Sequence, residues 1–232
     1  AKVNTSHPLT VGLLLRFGRF ISIPDIEAQL APNNYMYTHS MTYTFDNYTN
    51  TGLQSTLAVT KNWMLQLGVS VGSDTMPWNA NAKIANPSPN PLFPGTTMLK
   101  DPGAVPSITG GVRWTSDSGN DSVYVVADAI NSGTWGYNNL QWYGLTAYHK
   151  FNEQWHISFE TYNLHQNNVL NANNPAAMAA FNAGGTPFSP QYLPFNAPGL
   201  AQCSSAAVFA CTASVQTYLA YLNYKASPLD NI

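Results

Sequence analysis

The strongest constraint in this chain is a period of two. Residues 63–71 set Trp63, Leu65, Leu67, Val69 and Val71 on one face and Met64, Gln66, Gly68 and Ser70 on the other. Residues 107–115 set Ile108, Val112 and Trp114 against Ser107, Thr109, Gly111 and Arg113. Residues 155–162 set Trp155, Ile157 and Phe159 against His156, Ser158, Glu160 and Tyr162. Successive side chains of a strand point to opposite faces, so these runs are strands with one apolar and one polar face. Similar runs predict strands at 35–45 and 53–60, and runs with less clean faces predict strands at 10–19, 122–131, 140–151 and 214–225, about nine in all; for 140–151 the sequence selects no face. Most span roughly 9–12 residues, the length a tilted strand needs to cross a bilayer.

Three tryptophans sharpen this reading. Trp63 follows Thr60-Lys61-Asn62, Trp114 stands just ahead of Ser116-Asp117-Ser118-Gly119-Asn120, and Trp155 follows Asn152-Glu153-Gln154. Aromatic residues at a common level, where strands meet short turns, suit a membrane–water interface. The connections also alternate: those three are short, while 73–106 and 166–212 are long and rich in Pro, Asn and Gly. Short turns on one side and long loops on the other is the pattern of an outer-membrane barrel, the short side being periplasmic. The connection at 20–34 breaks the rule, since with a strand at 35–45 it falls on the short-turn side; folding into the lumen is one account of it.

Composition agrees. Only 9% of the residues are charged, against roughly 25% in ordinary soluble domains. The mean hydropathy is nevertheless −0.16, because Asn, Thr, Ser, Gln and Gly carry the polarity. A chain with one face in lipid and one in water has this balance. A net charge of −2 leaves no basic patch for nucleic acid. No apolar run is long enough for a transmembrane helix. The two cysteines, Cys203 and Cys211, share a Ser/Ala-rich loop and are expected to form a disulfide. No metal site is expected, because no His lies near them.

The stretch opening Gly18-Arg19-Phe20 and running to Tyr35 resembles the outer-membrane β-barrel porins described as OmpL-like. Residues 45–60, 63–72 and 221–225, with Ser227-Pro228-Leu229-Asp230-Asn231, are similar to them too. The resemblance implies a pore in the bacterial outer membrane with no cofactor. Such porins usually continue with more strands after a segment like 227–231, and bacterial single-chain barrels use even strand numbers. The expectation is therefore one antiparallel transmembrane β-barrel domain over 1–232, incomplete at its C-terminal end and part of a larger even-numbered barrel. A small closed barrel, with the strands miscounted by one, is the alternative.

If the apolar faces meet lipid, Arg16, Arg113, Asp128, His156 and Glu160 are the candidates to line the pore. The bland alternative for Arg113 and Glu160 is that they pair to fill a narrow lumen. Asp25 and Glu27 are candidates to constrict the pore or bind a cation, against a solvated turn. Trp63, Trp114 and Trp155 are the interface aromatics. No enzyme is expected: His156, Ser158 and Glu160 are about 7 Å apart per step of two along a strand, and no nucleophile-elbow motif is present. The expected function is a passive channel for small hydrophilic solutes, embedded in outer-membrane lipid and able to form homo-oligomers. The alternative is a non-conducting structural or adhesive barrel that binds a partner through its long loops.

Overall fold

The computed structural model describes residues 12–22, 27, 39–40, 42–45, 49–73, 77, 83–85, 98–100, 104–133, 139–182 and 199–226. Their framework is one antiparallel sheet in which each strand pairs with the next long strand in the chain. In order these are β1 (Gly12–Ile21), β2 (Thr49–Ala58), β3 (Trp63–Ser73), β6 (Ser107–Thr115), β7 (Asp121–Ile130), β8 (Gln141–Lys150), β9 (Trp155–Leu170) and β10 (Ala210–Tyr224). Between β3 and β6 lies a small separate hairpin, β4 (Lys83–Ala85) with β5 (Met98–Lys100). The edge strands β1 and β10 are not joined to each other among the described residues. No helix among the described residues is long and apolar enough to cross a membrane.

The main sheet has eight strands rather than the expected nine. The discrepancy is the predicted strand at 35–45. Thr42–Phe45 form a 3-10 turn, and residues 35–38 lie outside the described residues. Alternation alone misleads here, because a Tyr/Thr/Met run satisfies period two without a neighbouring strand to pair with. The correction also removes the anomaly at 20–34. Ile21 pairs with Thr49, so the whole stretch from β1 to β2 is one connection on the long-loop side.

The sheet curls. The Tyr124 hydroxyl of β7 donates to Gln66 Oε1 of β3, passing over β6 between them. Gly111 of β6 makes the crossing possible, since a Cβ there would stand 2.7 Å from the Tyr124 ring. At the long-loop end, Asn50 Nδ2 of β2 reaches the Asp128 carboxylate of β7 at 3.2 and 3.3 Å. Side chains of non-adjacent strands meet only when the face that bears them is concave.

That concave face is polar and the convex face is apolar. Gln54, Gln66, Thr109, Ser158, Glu160 and Thr217 are buried. Their strand neighbours Leu53, Leu67, Ile108, Ile157 and Tyr218 are exposed, Ile108 by 63% and Tyr218 by 70%. The alternation read from residues 63–71, 107–115 and 155–162 is therefore present, with its apolar side turned outward.

Short polar turns join the strands at one end. Thr60 Oγ1 accepts from the backbone N–H groups of Asn62 and Trp63 at 3.2 and 3.1 Å. Asn152 Oδ1 does the same for Gln154 and Trp155 at 2.8 and 2.9 Å. These side-chain-capped turns are why Thr and Asn precede each tryptophan. The turns are also laced together. Asn62 Nδ2 donates to Thr115 O at 2.9 Å, Lys150 N to Asn120 O at 2.8 Å, and Lys225 N to Gln154 O at 2.8 Å.

The other end is elaborated. β9 and β10 run past the rest of the sheet, so the expected loop 166–212 is shorter, spanning 171–209. It carries helix α1 (Pro175–Asn182). Pro175 occupies the first helical position, where its missing N–H costs nothing, and Asn174 Oδ1 caps Ala177 N at 2.9 Å. Ala177 and Ala180 pack on Leu170, with Phe181, Leu200 and Phe209 around them. The disulfide Cys203–Cys211 closes this cap, as expected. Asn171 is its hub, donating through Nδ2 to Ser205 O and Val208 O at 2.9 and 2.7 Å.

Candidate functional site

The concave face holds a cavity of about 610 Å3 towards the short-turn end. Arg16 of β1 and Arg113 of β6 both line it, with Gln66, Tyr124, Ser122 and Ser158. Each sits at a polar position of its strand, which is why alternation could place it. Among the described residues, neither arginine makes an ion pair. The pairing of Arg113 with Glu160 is not formed. The two occupy one row of the sheet, Arg113–Tyr124–Thr146–Glu160 in register, with two strands between them.

The acidic residues of this face are held differently. Asp128 is 4% exposed and accepts from Asn50, as above, and from the Thr109 hydroxyl. Thr109 Oγ1 in turn accepts from Ala129 N at 3.1 Å. Glu160 is also buried, and it does not line the cavity. His156 is half-buried near the short turns, its ring 5.4 Å from that of Tyr148.

Glu27 is buried, not on a solvated turn. Its carboxylate accepts from Ser40 N at 2.9 Å, from the Ser40 hydroxyl and from the Tyr221 hydroxyl at 3.0 Å. Tyr221 lies on the polar side of β10, three residues before the strand ends at Tyr224. Thr42 is buried nearby, its carbonyl accepting from the Tyr162 hydroxyl of β9. The β1–β2 connection thus starts at one edge of the sheet and lies against the concave face of the two strands at the other. Asp25 lies outside the described residues.

The aromatics expected at an interface gather on the convex side of the short-turn end. Trp63 and Trp114 are direct cross-strand partners. Trp155 packs against Tyr224 with ring centroids 4.6 Å apart, and Phe151 packs edge-on to His149 at 4.5 Å. The rim beyond them carries the ion pairs Lys61–Asp117 at 3.0 Å and Lys150–Glu153 at 2.7 Å, and His149 Nδ1 lies 2.6 Å from Asp121 Oδ1. Trp142, near the start of β8, is buried with Leu140, Tyr162 and Leu164.

Sequence reasoning missed the Asn50–Asp128–Thr109 and Tyr124–Gln66 contacts. A Gly at 111, on the polar side of a strand and two residues before Arg113, is the only local hint of the tyrosine that crosses there.

Neither the curated proteins nor the solved structures contain a match to this chain. A family model does match, over residues 1–228, with the description "Putative beta-barrel porin-2, OmpL-like". It spans nearly the whole chain and agrees with an antiparallel sheet whose apolar face points outward. The chain belongs to the OmpL-like β-barrel porin family.

Proposed function

We propose that this chain forms a passive channel for small hydrophilic solutes across the bacterial outer membrane. The observation that carries this reading is the inverted sheet: hydrogen-bonded polar side chains on the concave side, exposed Leu, Val and Ile on the convex side. A convex apolar band meets lipid, and Trp63, Trp114 and Trp155 sit at the interface beside the charged rim. Arg16, Arg113 and His156 face the lumen, and Asp128 and Glu160 are buried in its concave wall. The segment bearing Glu27 and Thr42 narrows it, because both residues rest against the strands opposite their own point of departure. The role of the protein in this reading is transport rather than catalysis.

Reconstitution into planar lipid bilayers tests the proposal. Folded protein is expected to give discrete, voltage-stable conductance steps. Tyr221→Phe, which removes the hydroxyl that holds Glu27, is expected to change the step size while keeping the channel. Folded protein that inserts but never conducts would overturn the channel reading in favour of a plugged, partner-binding barrel.

A further inference from the structure

We infer that the cavity at the short-turn end binds small multivalent oxyanions, carboxylates or phosphates, between Arg16 and Arg113. The inference rests on the channel reading for the route by which such a solute arrives, but not for the binding chemistry. Both arginines line one cavity of about 610 Å3, a volume that suits a sugar-phosphate-sized solute. The cations of the rim differ from them. The Lys61 and Lys150 ammonium groups are spent on Asp117 and Glu153, whereas Arg16 and Arg113 make no ion pair among the described residues.

No carboxylate is among the described residues that line the cavity. Asp128 and Glu160 do not line the cavity, and both are buried. The Asp128 oxygens already accept from Asn50 and Thr109, and those of Glu27 from Ser40 and Tyr221. Around the two arginines, Gln66, Tyr124, Ser122 and Ser158 are neutral. A solute inside therefore meets the two arginines directly, edged by amide and hydroxyl groups, with Asp128 and Glu160 buried outside the cavity lining. A guanidinium presents paired N–H donors that match the two oxygens of a carboxylate or phosphate. The row of Arg16 runs through Gln54 and Gly68 to Thr109, four residues along β6 from Arg113; with β2 and β3 between them the two backbones are roughly 20 Å apart along the sheet and nearer across its curl. A solute with two anionic ends, or a diphosphate, engages both arginines better than a monoanion does.

Calorimetric titration of inorganic pyrophosphate into the detergent-folded protein at low salt tests this. Saturable binding is expected, weakened about tenfold by Arg16→Gln and again by Arg113→Gln, with Arg113→Lys in between because it keeps the charge and loses the fork. Retained heat-modifiable gel mobility certifies that each variant is folded. Reversal potentials across a salt gradient give the second arm, with anion preference expected in the wild type and lost in the double glutamine variant. Pyrophosphate that binds the folded double variant as well as the wild type, or does not bind the folded wild type, overturns the site. Conductance without binding or anion preference leaves the channel and removes the site. Binding without conductance leaves the site and removes the channel.

Discussion

Gln66 and Leu67 are neighbours on β3 and live under opposite rules. Gln66 is 5% exposed and takes a hydrogen bond from Tyr124, while Leu67 is 53% exposed and faces outward. Thr109 and Ile108 on β6 repeat the contrast. In water this arrangement is penalised twice, once for apolar area left wet at about 25 cal/mol per Å2 and once for polar groups withdrawn from solvent. With lipid outside, the first penalty becomes a gain, and hydrogen bonds such as Tyr124 to Gln66 and Thr109 to Asp128 offset the second. The two faces of one backbone therefore report which solvent each was selected for, more directly than the fold does.

The contrast is broken most severely by a charge on the convex side. Leu67→Arg lies near the middle of β3, where an arginine in lipid costs about 2–4 kcal/mol. Urea unfolding from vesicles is expected to show that loss, and a much smaller one in detergent, whose headgroups the side chain can reach. Equal stability of Leu67→Arg and wild type in vesicles would mean that the convex face does not meet lipid. Next in size is the cap at the long-loop end. Cys203→Ser removes a crosslink between residues eight apart, worth about 2.5 kcal/mol on chain-entropy grounds. The effect should stay local: protease sensitivity within 199–209 rises while the sheet melts where it did. A matching drop in the melting of the sheet would show that the cap and the sheet unfold together.

Inside the curl the expected effect is smaller. Gly111→Ala puts a Cβ against the Tyr124 ring and should cost about 1–2 kcal/mol, as overpacking does, while weakening the bond to Gln66. Tyr124→Phe in the same background removes the hydroxyl but not the clash, so it should leave the glycine effect nearly intact. Tyr124→Ala should abolish it. If Gly111→Ala costs the same with Tyr124 present or truncated, the tyrosine does not lie over β6.

Legibility followed the same division between faces. Most strand positions, the faces of the cleanly alternating runs, the three short turns and the disulfide could be read because each rests on local chemistry: alternation, side-chain-capped turns, and two cysteines in one loop. The concave-face positions of Arg113, His156 and Glu160 could be read the same way, from the polar sides of alternating runs, whereas Arg16 and Asp128 stand in runs whose faces are less clean. What could not be read depends on which strands the curl brings together. Glu27 looked like a solvated turn, since nothing nearby in sequence announces Tyr221, 194 residues away. The misread strand at 35–45 is the same failure in another form. Its Tyr and Thr residues alternate well, but pairing, not alternation, makes a strand, and Ile21 was already paired with Thr49.

The rim gives the smallest and most easily titrated contrast with the interior. Asp117 is held below its ordinary value of 3.8, first by the hydrogen bond from Asn62 Nδ2 at 2.6 Å and then by the hydrogen bond and charge of Lys61. A carboxylate whose folded pKa is depressed adds stability that is present above its unfolded value and lost as pH falls through the folded one. Asp117 is fully exposed, so the effect is small, and its Lys61 part is open to screening. Between pH 8 and 6 the wild type and Asp117→Asn should therefore differ by a constant amount. Below about pH 4 that difference should shrink, because the wild type loses its advantage on protonation. Repeating the series in 1 M salt separates the two causes. The Asn62 hydrogen bond survives screening and the Lys61 attraction does not. A pH response that disappears entirely in salt would make Lys61, rather than Asn62, the dominant partner of Asp117.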